Sequence, residues 1–93
     1  MERKVQLFLA ERVGPAMTDV DVRAIHHLLF TATQRLSGSG TPVQLVRSTY
    51  LTTERRWIGT FTADAAESVH RAVEIAQLPT VRVTEAMNFV FPN

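Results

Sequence analysis

The residues best suited to bind a small ligand lie close together in the middle of the chain. Arg47 and Tyr50 are three residues apart in a segment rich in β-branched side chains. A guanidinium that faces an enclosed cavity binds a carboxylate or a phosphate, and a phenol hydroxyl adds a hydrogen bond. Trp57 and Phe61 each lie two residues from Gly59, so their rings share one strand face with a slot between them. We therefore predict that a small apolar or anionic molecule is bound by Arg47, Tyr50, Trp57 and Phe61.

Each of these residues also has a purely structural interpretation. Arg47 would form an ion pair if Glu11 or Glu85 lies on a neighbouring strand. Trp57 and Phe61 would form the core of an interface between subunits instead of the walls of a pocket. On the sequence alone both alternatives stay open.

Three side chains form a candidate metal set. His26 and His27 are neighbours, and on a helix they diverge by about 100°, so they cannot both bind one ion. His26 lies one turn after Val22, at the edge of the apolar face, whereas His27 points toward solvent. Imidazole and carboxylate ligands suit nickel or zinc, so we predict that His26, His70 and Glu11 bind such an ion from three separate elements. The alternative is a packing role for these side chains.

Several kinds of chemistry are excluded by residue type. The chain contains no cysteine, so it has no disulfide, no thiolate nucleophile and no cysteine-ligated metal. Ser48, Ser68 and the histidines match no nucleophile signature, and no glycine-rich phosphate loop is present. Asp19 and Asp21 are typical of helix caps. A cofactor-independent cyclase, isomerase or oxygenase stays open as the alternative function, because such reactions need only a shaped apolar cavity and one or two polar groups.

The charge pattern gives no indication of a nucleic-acid or membrane partner. The formal net charge is +1, and the basic residues are scattered among nine acids. Segment 55–61 resembles only weakly the aromatic third strand of RNA-recognition domains. No apolar run is long enough to span a bilayer, and residues 1–4 lead directly into a strand-like segment. We therefore expect a cytoplasmic protein with no nucleic-acid and no membrane partner.

The apolar pattern predicts four strands. Alternating or β-branched stretches place them at residues 5–12, 43–51, 56–62 and 81–84. The second and third strands are joined by a short polar connection at residues 52–55, which indicates a hairpin.

Two helices are predicted between these strands. Thr18 and Asp21 resemble a capping box, and apolar residues at helical spacing follow them until a segment rich in glycine and serine. Asp64 and Glu67 form a second cap signature, and Pro79 ends that helix.

The predicted order is βαββαβ, a single ferredoxin-like α+β domain over residues 1–93. Two helices cover one face of the four-stranded sheet in this arrangement, and the other face is bare. Apolar residues on both faces of the first strand indicate that a second copy packs sheet against sheet, as a dimeric α+β barrel. The apolar tail 88–91 either crosses to that copy or folds back on its own core.

Short motifs within residues 5–85 resemble one known family. They are Leu9-Ala10-Glu11-Arg12, Gly14-Pro15, Met17-Thr18, Val46-Arg47-Ser48, Ala63-Asp64-Ala65 and Leu78-Pro79. With them the chain resembles the nickel-binding-like domain-of-unknown-function family. The resemblance implies a ferredoxin-like fold, a dimeric α+β barrel and the binding of a metal ion or a small ligand.

The chain departs from the pattern of that family at two places, and a third place is ambiguous. Trp57-Ile58 stands where the family often has an aromatic residue followed by cysteine, and Phe61 stands where it often has an acid. The histidine that the family commonly carries in the second helix aligns with either His70 or Val73, depending on where a small gap is placed. The assignment of an implied nickel or zinc ligand in this helix therefore stays open.

The length of the chain favours self-association. A domain of 93 residues buries only a modest fraction of its surface, so a second copy adds burial that one copy lacks. We therefore predict a small homodimeric binding protein, with its pocket between the two sheets or between the sheet and the first helix.

Overall fold

The strands and helices follow one another along the chain in the predicted order. The computed structural model describes residues 5–79 and 81–87. The elements are β1 (Gln6–Val13), α1 (Asp19–Gly38), β2 (Val43–Leu51), β3 (Arg56–Ala63), α2 (Ala66–Ile75) and β4 (Arg82–Ala86). The strands form one antiparallel sheet in the order β2-β3-β1-β4. This confirms the ferredoxin-like α+β fold. Within the described residues, neither helix is long and apolar enough to cross a membrane.

Helix α1 begins at the predicted capping box. The Asp21 backbone N–H donates to Thr18 Oγ1 at 3.2 Å, and the Thr18 backbone N–H donates to Asp21 Oδ2 at 2.9 Å. These bonds satisfy two backbone donors that the helix itself leaves without a partner. The cap therefore fixes where the helix starts and which of its side chains face the sheet.

Helix α2 begins without the side-chain cap that the sequence predicts from Asp64 and Glu67. Its first residue is Ala66, its N-cap is Ala65, and no side chain caps it. Asp64 lies one residue too early to reach the free backbone donors, and its Oδ1 instead accepts the Ser68 hydroxyl at 2.8 Å. The prediction of this cap was wrong because it placed the N-cap one residue before its true position.

The core lies between the two helices and one face of the sheet. Every second residue of β3 is buried, and these positions are Trp57, Gly59, Phe61 and Ala63. In the neighbouring strand β1, Phe8 is paired with Phe61 and Ala10 with Gly59. The helices cover this face with the buried residues Leu29, Ala32, Leu36, Val69, Ala72 and Val73. The alternate residues of the strand and the residues at helical spacing in α1 and α2 therefore pack into a single core.

Gly59 is the point at which the two largest buried rings approach the backbone. A Cβ atom at this position would lie 2.5 Å from Cη2 of Trp57 and 2.9 Å from Cε1 of Phe61. Both distances are shorter than any ordinary carbon contact. The slot predicted between the two rings is therefore filled by the rings themselves, which lie over the glycine.

We expect Gly59→Ala to lower the free energy of unfolding by about 1–3 kcal/mol, because the added methyl group must displace one of two buried rings. Urea denaturation followed by circular dichroism measures this change. Gly38→Ala is the matched control, since a Cβ at Gly38 meets nothing within 4 Å and alanine favours a helix. Equal stabilities of the two variants would contradict the packing described at Gly59.

Candidate ligand-binding face

The four predicted ligand residues lie on opposite faces of the sheet. Trp57 and Phe61 have no exposed surface and lie under the helices. Tyr50 is paired with Trp57 on that same face, and its hydroxyl accepts the Met17 backbone N–H at 3.0 Å. Arg47 lies three residues before Tyr50, so the alternation of the strand turns it to the other face. The structure therefore corrects the prediction of one pocket shared by all four residues.

A β-bulge in β2 sets the side on which Arg47 lies. Leu45 is paired with Phe61, and Arg47 is paired with Thr60, so the register shifts by one residue at Val46. Without the shift, Arg47 would share the helix side with Leu45, because residues two apart lie on the same face of a regular strand. The extra residue turns the guanidinium away from the helices.

Trp57 is held by packing alone. Its indole Nε1 is buried and has no hydrogen-bond partner among the described residues. A ring in this position stabilises the fold through the area that it buries. The structure thus favours the core interpretation of Trp57 over the pocket-wall interpretation, although the core belongs to one chain and not to a subunit interface.

The face of the sheet turned away from the helices, here called the open face, carries a shallow depression. Its volume is about 320 Å³. It is lined by Leu7, Leu9, Val46, Arg47, Thr60, Thr62, Ala86 and Met87. Aliphatic side chains thus form most of its wall, two threonine hydroxyls add polar groups, and one arginine supplies charge. The predicted exchange segment 88–91 lies outside the described residues.

The two carboxylates considered as partners of Arg47 have other surroundings. Glu11 Oε1 accepts a hydrogen bond from Arg56 Nη1 at 3.2 Å, and Arg56 Nη2 lies 3.7 Å from Glu54 Oε1. Glu85 is paired with Phe8, so it projects toward the helix side. Within the described residues, neither Glu11 nor Glu85 therefore forms an ion pair with Arg47.

The open face has an excess of positive charge. Among the paired strand residues that the structure describes, register places Arg47, Arg56 and Arg82 on it, with Glu11 as the one carboxylate. Arg56 is already paired with Glu11, whereas no salt bridge to Arg47 forms within residues 5–79 and 81–87. An anion that reaches the depression therefore meets an unneutralised guanidinium.

The predicted metal ligands do not come together. Glu11 lies on the open face, His26 lies on α1 under the sheet, and His70 is exposed on α2. The part of the chain that the structure describes contains no group of three or more histidine, aspartate or glutamate side chains that could hold a metal ion. The prediction of one site from His26, His70 and Glu11 is corrected by this separation. Val73, the other position considered in α2, is buried in the core.

The structure reveals one polar pair that the sequence analysis missed. His26 Nδ1 lies 2.7 Å from Ser48 Oγ, between α1 and β2, and both side chains are half-buried. The two residues are 22 positions apart, so no local motif contains them. The position of His26 beside the apolar stripe of α1 indicated that its ring lies near the sheet. Which residue of β2 it contacts depends on the bulge at Val46, which the sequence did not predict.

The aromatic segment that weakly resembles an RNA-recognition strand faces inward. Trp57 and Phe61 are both on the helix side of the sheet. Among the described residues, the open face carries no aromatic ring on which a base would stack.

A comparison of this chain with protein-family models, with curated proteins and with solved structures found no match. The resemblance to the nickel-binding-like family therefore stays a prediction, and the geometry alone supports the functional argument.

We expect the fluorescence of Trp57 to be poorly quenched by acrylamide in the native protein, because the indole has no exposed surface. The quenching constant rises strongly when urea unfolds the chain and the ring meets solvent. Trp57 is the only tryptophan, so a steady-state titration reports on this ring alone. Equally strong quenching in the native and unfolded protein would place the ring at a surface instead.

Proposed function

We propose that this chain is a homodimeric binding protein for a small amphipathic carboxylate or similar anion. The observation that carries the proposal is the Arg47 guanidinium, which lies beside the aliphatic depression on the open face and has no salt bridge to any described residue. Arginine binds a carboxylate through two parallel charge-assisted hydrogen bonds. The apolar part of the ligand then lies against Leu7, Leu9 and Val46.

The depression has the composition of a ligand site. Pockets for small molecules are mostly apolar, contain a few placed polar groups and measure about 300–1,000 Å³. The volume of about 320 Å³ suits a ligand with a short chain or a single ring. Thr60 and Thr62 supply hydroxyl groups that can donate to the anion or accept from a substituent. A metal ion is not part of this proposal, because the predicted ligands lie far apart in the fold.

A second copy of the chain completes the proposed site. Leu7, Leu9 and Ile58 are only half-buried on the open face, so one chain leaves much of their apolar surface in water. Packing two open faces about a two-fold axis buries these side chains in both copies. It also closes the depression, and the charge–charge contact with Arg47 strengthens as water leaves.

We expect light scattering at micromolar concentration to give twice the mass of one chain. Ile58→Lys places a charge on the open face and shifts the protein to the mass of one chain, since a buried unpaired ammonium opposes association. Ile75→Lys is the matched control, because Ile75 is 39% exposed at the end of α2, and it stays dimeric. A wild-type chain that is monomeric at every concentration contradicts the homodimer.

The ligand proposal is tested with octanoate and its uncharged counterpart octan-1-ol, measured by isothermal titration calorimetry. We expect Arg47→Gln to weaken octanoate binding about tenfold or more, because a charge-assisted hydrogen bond contributes about 1.5–3 kcal/mol. Octan-1-ol affinity should change little. Arg35→Gln removes the same charge from an exposed position in the last turn of α1 and serves as the control. An unchanged octanoate affinity in Arg47→Gln rules out this arginine as the anion ligand.

A further inference from the structure

The contact between His26 and Ser48 has the geometry of a base beside a hydroxyl nucleophile. Their Nδ1 and Oγ atoms are 2.7 Å apart, within the range over which a general base removes a proton. When the imidazole carries its proton on Nε2, Nδ1 accepts the Ser48 hydroxyl. A histidine in this tautomer activates serine for attack on a carbonyl carbon.

Secondary structure on both sides holds the pair in place. His26 lies in the interior of α1, and Ser48 lies in β2 directly opposite Gly59. Gly59 has no side chain, so the rings of Trp57 and Phe61 occupy the space above it. Ser48 therefore lies beside the rings that pack over Gly59, and regular secondary structure positions both members of the pair.

Two depressions lie along the seam between α1 and β2, next to the pair. One depression, of about 340 Å³, is lined in part by Val22 and Tyr50. Another, of about 230 Å³, is lined in part by Phe30 and Leu45. Val22 and Phe30 lie one helical turn before and after His26, so the two depressions lie on either side of the pair. The depression on the Val22 side also has Met17 in its wall and suits an acyl chain, whereas Thr33, Gln34 and Ser37 make the other one more polar. The pair itself is half-exposed.

An acyl-transfer site also needs hydrogen-bond donors for the negative charge that develops on the attacked carbonyl oxygen. β2 is an edge strand of the described sheet, and an edge strand presents backbone N–H groups that are not paired with another strand. Such donors stabilise the oxyanion of a tetrahedral intermediate when they lie close to the attacked carbonyl. The bulge at Val46 is two residues before Ser48, and bulges turn backbone groups out of the regular ladder.

From these observations we propose that Ser48 is the nucleophile and His26 the base of an acyl-transfer site that acts on activated esters with a small apolar acyl group. Ser48 Oγ forms a bond to the carbonyl carbon as its proton moves to His26. The bond from that carbon to the leaving oxygen then breaks, and the departing alkoxide takes the proton from His26. Water then forms a bond to the acyl carbon as its proton moves to His26, the bond from that carbon to Ser48 Oγ breaks, and Ser48 takes the proton back from His26.

This site is separate from the anion site proposed on the open face. Ser48 and Arg47 are adjacent in β2 and therefore project to opposite sides of the sheet. Neither proposal depends on the other, and the variants that test one leave the residues of the other unchanged.

The test is covalent labelling of the full chain with an alkyl fluorophosphonate, followed by intact mass and peptide mapping. The probe forms a phosphorus–oxygen bond to an activated serine and releases fluoride. We expect one adduct, on Ser48, and none in Ser48→Ala. His26→Gln retains a hydrogen-bonding side chain but no base, so the labelling rate falls about 100-fold or more.

Two control variants separate this pair from other serines and histidines. Ser68→Ala removes a serine whose hydroxyl donates to Asp64, and His27→Gln changes the exposed neighbouring histidine. Both should label at the wild-type rate. Thermal unfolding shows that each variant is folded, and a purely structural contact would shift that transition without changing the labelling rate. Absence of a Ser48 adduct in the wild type, or equal labelling of His26→Gln, overturns the proposal.

Discussion

The close approach of two aromatic rings to the backbone at Gly59 governs how side chains are divided between the two faces of the sheet. Trp57 and Phe61 can lie over β3 only because no Cβ separates them at this position. Once the rings occupy this face, both helices must pack on it, since it carries most of the buried apolar area. The other face is then left to smaller aliphatic side chains, threonines and charges.

This division of the side chains determines what each face can do. The helix side holds every buried aromatic side chain of the described residues. The polar pair of His26 and Ser48 on that side therefore lies in largely apolar surroundings. The open face has no such core, and Arg47 lies on it beside Leu7 and Leu9. One face therefore suits chemistry at a fixed hydrogen-bonded pair, and the other suits recognition of an anion with an apolar body.

Local sequence signals predicted the elements well where the physical cause was itself local. The bounds of β2 at Val43–Leu51 follow from β-branched residues between a proline and a polar turn, and the structure confirms them. The capping box of Thr18 and Asp21 is confirmed because both bonds form within four residues. The cap at Asp64 failed because the N-cap is Ala65, a residue with no side chain that could signal it.

Residue types and short-range spacing were sufficient to predict the order of the elements, their periodicity and the absence of thiol chemistry. Which side chains meet depended instead on how the elements pack in three dimensions. The bulge at Val46 turned Arg47 to the open face, Arg56 paired with Glu11 from the adjacent strand, and α1 brought His26 to Ser48. These contacts depend on strand register and helix placement, which are set by the packing of the whole core and not by any one segment.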